Sequence, residues 1–220
     1  MRTVAAIPAK DLENAKQRLV PVLSPDERRA LARAMLEDVL EAVTAADLSS
    51  VLVVTRDPEV IALVRAFPVT VLEEPENRGH TEAVALARGF AAERGAERFL
   101  TVPGDVPQVT PQEITALAEA VPSRPGVAFV PSRSGFGTNG AVLSPPDVMA
   151  LKFGEPSFPN HLFAARRRGL DPVVLRFPGL GLDIDGPEDL RALLESERQT
   201  RSWRLVRGFG IEARLGSSGP

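Results

Sequence analysis

The chain has 220 residues, 44% of them hydrophobic, and a net charge of −3 at neutral pH. That is enough apolar content for the core of one ordinary domain, and it leaves no general positive field to favour nucleic acid or an anionic membrane. Cysteine and tyrosine are absent and Trp203 is the single tryptophan, which excludes disulfides, thiolate metal sites and thiol nucleophiles and removes the aromatic platforms that stack single-stranded bases.

In chain order, the first expected strand is Val4 to Ile7, within "MRTVAAIPAKDLENAK". Its apolar run ends at Pro8, too short for a signal-peptide core or a membrane span, so a cytoplasmic protein is expected. A long connection follows from Ile7 to Ser24, where a loop between strand and helix normally takes only a few residues. Ser24, Pro25 and Glu27 then make a capping box, and Leu31, Met35, Val39 and Val43 fall on one helical face. That face suits a domain core or a homodimer equally, because the periodicity is the same.

Further strands are expected at Ser50 to Thr55, Val69 to Leu72 and Arg98 to Val102. Thr110, Pro111 and Glu113 repeat the capping device. Val127 to Val130, Gly140 to Leu143 and Pro172 to Arg176 complete the strand set, and "DGPED" starts the last helix near Pro187. Short β-branched runs alternating with amphipathic ones predict an α/β fold around a mainly parallel sheet. No linker divides residues 1–215, which are expected to form one domain, while residues 216–220 form a disordered tail. The glycine- and proline-rich stretch Pro131 to His161 reads as insertions serving a site.

"GFGTNG", Gly135 to Gly140, matches G-x-G-x-x-G by letter, but the glycines run into a strand and then Ser144-Pro145-Pro146, so no helix can begin there to receive a pyrophosphate. The segment fits a backbone anion cradle or a plain turn about equally. Lys10, Lys16 and Arg18 place three cations at the carboxyl end of the first strand, where open α/β sheets bind ligands and where cations neutralise a polyphosphate. Asp105, in "VPGDVP" after the fourth strand, is either a turn former or a hard oxygen ligand for Mg²⁺. In "GLDIDGPEDL", Asp183 and Asp185 share one face if extended; Asp185 is equally placed to cap the following helix, which makes Asp183 the preferred partner for Asp105. His80 and His161 have no ligand cluster around them, so solvated or loop-packing roles are expected rather than a zinc site.

Taken in order, "IPAKDLENAKQRL", "VPGDVP", "GFGTNGAVL", "FGEPSF" and "LDIDGPEDL" resemble the 2-phospho-L-lactate guanylyltransferase family over roughly Thr3 to Leu193. The resemblance implies a single three-layer α/β/α domain with the nucleotide-diphospho-sugar transferase, or glycosyltransferase-A-like, fold. It implies guanylyl transfer from GTP to a three-carbon phospho-acid (2-phospho-L-lactate, phosphoenolpyruvate or 3-phosphoglycerate) in the biosynthesis of the deazaflavin coenzyme F-420. It further implies Lys10, Lys16 and Arg18 on the triphosphate, with Lys16 also catalytic. Mg²⁺ would sit on Asp105 and Asp183, with Asp185 beside them, and Thr138, Gly154 and Ser157 would lie on the acceptor. Relatives often carry Leu-Asn where this chain has His80-Thr81; Thr81 keeps a hydroxyl at that nucleotide position but not an amide's paired donor and acceptor. Two other readings compete: a related nucleotidyltransferase loading molybdopterin or a sugar phosphate, whose usual glycine-rich first loop is missing here, and a non-catalytic nucleotide-binding module.

Overall fold

The computed structural model describes residues 1–76, 78–121 and 124–216. Seven strands, β1 (Thr3–Pro8), β2 (Ser50–Thr55), β3 (Thr70–Glu73), β4 (Arg98–Thr101), β5 (Gly126–Pro131), β6 (Thr138–Ser144) and β7 (Val173–Val174), form one sheet in the order β3-β2-β1-β4-β6-β5-β7. The first four are mutually parallel, and β6 runs antiparallel between β4 and β5. Because Thr101 of β4 faces Ala141 of β6, the start of β6 arrives at the edge where β1 and β4 end. That reversal brings Thr138 and Asn139 to the same edge as Asp105.

Strand alternation sorts the core into two layers. Ala5 and Ile7 of β1 pack with α1 (Pro25–Thr44), α2 (Pro58–Val64) and α4 (Pro111–Glu119), while Val4 and Ala6 face α3 (His80–Glu93) and α5 (Ser157–Arg166). Both predicted capping boxes form: Ser24 Oγ accepts from Glu27 N and Thr110 Oγ1 from Glu113 N. Helix α1 is buried on two sides, since Val39 and Val43 join the sheet core and Leu31 and Met35 join a third cluster with Leu190, Leu193, Trp203 and Val206.

The structure departs from expectation at three places. The run Pro172 to Arg176 yields only the two-residue β7, paired solely with β5 at the sheet edge, where Pro172 has no N–H to extend the ladder. The helix at Pro187, α6 (Pro187–Glu195), is not the last, because α7 (Arg201–Gly208) and α8 (Glu212–Gly216) follow. A buried carboxylate explains α7: Asp38 of α1 accepts from Arg201 N and Ser202 N, both at 2.9 Å, and from Ser202 Oγ at 2.6 Å, so α7 docks on its own domain. Finally, α6 is capped at Gly186, and Asp189 rather than Asp185 accepts the exposed N–H groups, those of Asp185 and Gly186 at 3.1 and 2.9 Å. Of the expected tail at 216–220, Gly216 ends α8 and residues 217–220 lie outside the described residues. No helix among the described residues is long and apolar enough to cross a membrane.

Candidate active site

The long connection after β1 folds back over the sheet edge and turns at Lys16, which takes the left-handed conformation (φ 56°, ψ 46°) ahead of a short 3₁₀ turn at Gln17–Leu19. Non-glycine residues seldom adopt that conformation. Here it coincides with a side chain fixed at its far end: Lys16 Nζ lies 2.6 Å from Asp105 Oδ2 and 2.9 Å from Asp185 Oδ1, and only 9% of the side chain is exposed. Burial alone would push this ammonium toward neutrality, but the two carboxylates override it and raise the Lys16 pKa above its ordinary value. Burial likewise acts upward on Asp185, and Lys16 with help from Arg18 overrides it and holds that carboxyl below the usual range.

The two acidic segments are joined through the backbone, since Ile184 N donates to Asp105 O at 3.0 Å. With Ile184 fully buried, Asp183 and Asp185 both turn away from the core. They meet different partners. Asp185 shares Lys16 with Asp105, whereas Asp183 accepts from Asn139 Nδ2 at 3.0 Å. Burial raises the Asp183 pKa, and the charges of Asp105 and Asp185 add to the effect against the Asn139 bond. Gly104 has no positive φ; an added Cβ there would meet Leu36 Cδ1 at 3.3 Å, so glycine serves the close approach of the turn to α1.

Lys10, Lys16, Arg18, Asp105, Asp185 and His80 line a cavity of about 660 Å³ at this edge. Lys10 and Arg18 are exposed there, which leaves them available to an anion. Thr81, Asp183, Thr138, Gly154 and Ser157 are not among its lining residues. Whether the acids suit a divalent cation is answered by the ammonium itself: a positive charge already sits between two hard-oxygen donors, and Mg²⁺ commonly takes one or two carboxylates plus substrate phosphates. Among the described residues no three Asp, Glu, His or Cys side chains converge as a ligand cluster, so a metal here would need further oxygens, from substrate or water, beside these carboxylates.

The second group gathers a few residues along the edge. Ser157 Oγ donates to Thr138 Oγ1 at 3.2 Å, and Thr138 Oγ1 lies 3.0 Å from His161 Nδ1. Because His161 Nε2 accepts from Lys152 N at 3.0 Å, that nitrogen carries no proton, and burial lowers the ring's pKa to about 4. The neutral ring therefore holds its proton on Nδ1 and donates it to Thr138. With both lone pairs of Thr138 Oγ1 occupied, its own O–H remains a donor. His161 is thus buried, 2% exposed, rather than solvated, and it stacks on Phe129 with Phe153 at its edge.

Phe153 links the two groups. Its ring meets His80 edge-on at 4.4 Å between centroids, and its N–H donates to Thr81 Oγ1 at 2.9 Å. Thr81, expected at the nucleotide, thus holds the loop that ends in Gly154 (φ +105°) and Ser157. Burial against this loop lowers the His80 pKa to about 4, with Asp105 acting upward and Lys10 downward. Sequence reasoning missed Asn139, His161 and Phe153 as parts of the site. The first was legible as the amide beside Thr138; the other two needed the fold.

A family model described as "Guanylyl transferase CofC like" matches residues 3–219. The phosphoenolpyruvate guanylyltransferase of Sphaerobacter thermophilus is 43% identical, covering 88% of this chain and 93% of that protein. The 2-phospho-L-lactate guanylyltransferase of Methanothermobacter thermautotrophicus is 36% identical, covering 94% and 91%. Among solved structures, a chain from Desulfovibrio desulfuricans G20 described as a nucleotide-diphospho-sugar transferase superposes with a TM-score of 0.79 at 17% identity over 98% of both chains. A nucleotidyl transferase from Methanothermobacter gives 0.63, also at 17% identity, over 87% of this chain and 95% of that one. These two likenesses establish the fold alone.

Proposed function

This chain belongs to the CofC-like guanylyl transferase family, and from that premise we propose that it moves GMP from GTP to the phosphate of a three-carbon phospho-acid, releasing pyrophosphate. The relatives' names point to phosphoenolpyruvate and 2-phospho-L-lactate as acceptors; 3-phosphoglycerate is kept as a third, and the product would feed the supply of the deazaflavin coenzyme F-420. The observation that carries the reading is the Lys16 ammonium held between Asp105 and Asp185 in a cavity flanked by Lys10 and Arg18. Such an edge accepts a triphosphate and a cation together.

In this reaction an acceptor phosphate oxygen forms a bond to the α-phosphorus, the bond from that phosphorus to the bridging oxygen breaks, and the electron pair leaves with pyrophosphate. The nucleophile is already an anion at neutral pH. No general base is needed, which agrees with two histidines held neutral well below pH 7. Mg²⁺, held by Asp105 and Asp185 with Asp183 alongside, would supply positive charge to the phosphates as negative charge spreads. Lys10 and Arg18 neutralise the outer phosphates, and Lys16, the catalytic cation, follows the charge from carboxylate to phosphate. Thr138 offers its free O–H to the acceptor, and Gly154 and Ser157 shape the turn beside it.

The test is pyrophosphate release from purified protein with Mg²⁺, each nucleoside triphosphate and each three-carbon acid. Release is expected with GTP and phosphoenolpyruvate or 2-phospho-L-lactate. Silence with every pair overturns the reading.

A further inference from the structure

A second cleft, of about 490 Å³, opens beside the charged cavity and shares Lys10 and Asp11 with it. Thr55, Arg56, Asp57 and Glu74 close its far side. It lies at the carboxyl ends of β1, β2 and β3: Glu74 follows β3 directly, and its N–H donates to Thr55 O at 3.3 Å. The acids around it differ in one respect. Asp57 is occupied by Leu12 N and Glu59 N at 2.9 and 2.8 Å, and Asp11 by Glu13 N and Asn14 Nδ2 at 2.8 and 3.0 Å. Glu74, only 8% exposed, has no hydrogen bond or ion pair to its carboxylate among the described residues.

A carboxylate that lines a cleft with no donor from the protein keeps both oxygens open to a ligand's N–H groups, and bonds to an ionised acceptor are the stronger kind. Guanine presents two donors side by side, N1–H and the exocyclic amino group, matched to the two oxygens of one carboxylate. Adenine puts a lone pair at N1 instead. Lys10 and Arg56 line the same cleft as Glu74 and act against the upward push of burial on its carboxyl, so the cleft also carries cations that could donate to guanine O6. Thr81 Oγ1, the group expected at the nucleotide, already accepts from Phe153 N, and one hydroxyl cannot supply the paired acceptors that guanine's two donors call for.

We propose that Glu74 reads the guanine ring of the donor nucleotide, accepting from N1–H and the amino group, while the phosphates pass along Lys10 into the charged cavity. This rests on the guanylyl-transfer reading and adds the residue that would choose the base. The swap Glu74→Gln provides a gain-of-function test: an amide still accepts from N1–H but sets a donor where guanine has an amino group and xanthine has a carbonyl.

Fluorescence titrations with mant-GTP, mant-ITP and mant-XTP on the full chain decide it. Wild type is expected to bind mant-ITP, which lacks the amino group, about tenfold more weakly than mant-GTP; Glu74→Gln is expected to bind mant-GTP about 100-fold more weakly than wild type and to prefer mant-XTP. Equal wild-type affinities for GTP and ITP overturn the assignment without any variant, and so does a folded Glu74→Gln that keeps the wild-type preference for GTP over XTP. A protein that shows these preferences yet releases no pyrophosphate with any acceptor overturns the transferase reading and leaves Glu74 in place.

Discussion

At the Asp105 end of the sheet edge, an ammonium and two carboxylates face one another across 2.6 and 2.9 Å; at the Thr138 end, two hydroxyls and a neutral imidazole form a buried chain with no formal charge. The first is assembled from a loop and two turns and lies open to a cavity. The second rests on a strand start and a helix start packed against Phe129 and Phe153. If the edge carries the proposed guanylyl transfer, the contrast would let it serve two anions: exchangeable charge where charge must move, and a fixed neutral donor where a small acid must be oriented.

The largest effect is expected at the charged end. Asp105→Asn removes one of two carboxylates around the cation position while keeping size and polarity, so kcat/KM should fall about 1000-fold, or about 4 kcal/mol, with an unchanged circular dichroism spectrum. Turnover near the wild-type rate would mean that the charge pattern is structural. Asp38 sharpens that point, because it too is a buried charge, committed entirely to the start of α7. Asp38→Ala should cost about 3 kcal/mol of stability, read from the urea midpoint, while the folded fraction keeps its kcat. Loss of kcat without loss of stability would contradict the division.

The neutral end predicts a pH signature. The folded-state pKa of His161 lies near 4, below the ordinary 6.5, so between those values the unfolded chain binds the extra proton. The stability contributed by the neutral ring is present above pH 6.5 and is lost as pH falls toward 4. From pH 7 to pH 5 the loss is about 2 kcal/mol, and Glu or Asp titration is common to a His161→Gln variant, so the difference between the two proteins isolates the ring. An identical pH profile in both would mean that His161 takes up its proton as readily in the fold as in the unfolded chain. The smallest effect belongs to Thr138→Val: acceptor KM should rise about tenfold, with kcat within about twofold, as expected for one lost hydrogen bond. An equal fall in kcat would move Thr138 into the chemical step.

Much of this was legible in the sequence wherever a local rule applied. The capping boxes at Ser24 and Thr110 fix helix starts through neighbours three residues away, and β-branched runs such as "SVLVVT" fix strands by composition. Asp105, Lys16 and Asp185 were recognisable as candidates because each follows or precedes an element at the ligand edge. Which acid meets which partner was not, since it depends on a backbone bond from Ile184 to Asp105 across 79 residues of chain, roughly. The cap at Asp189 was hidden by a closer acid, Asp185, in the same motif. The role of α7 depended on Asp38, an acid that reads as surface charge until α1 is seen to be covered on two sides.

The central claim is best tested by following the phosphorus directly. A ³¹P NMR record of wild-type protein with Mg²⁺, GTP and phosphoenolpyruvate should show two coupled diphosphate resonances of a new guanylyl product, rising in step with pyrophosphate. Appearance of inorganic phosphate in place of that product, or an unchanged spectrum with every three-carbon acid, would contradict the account.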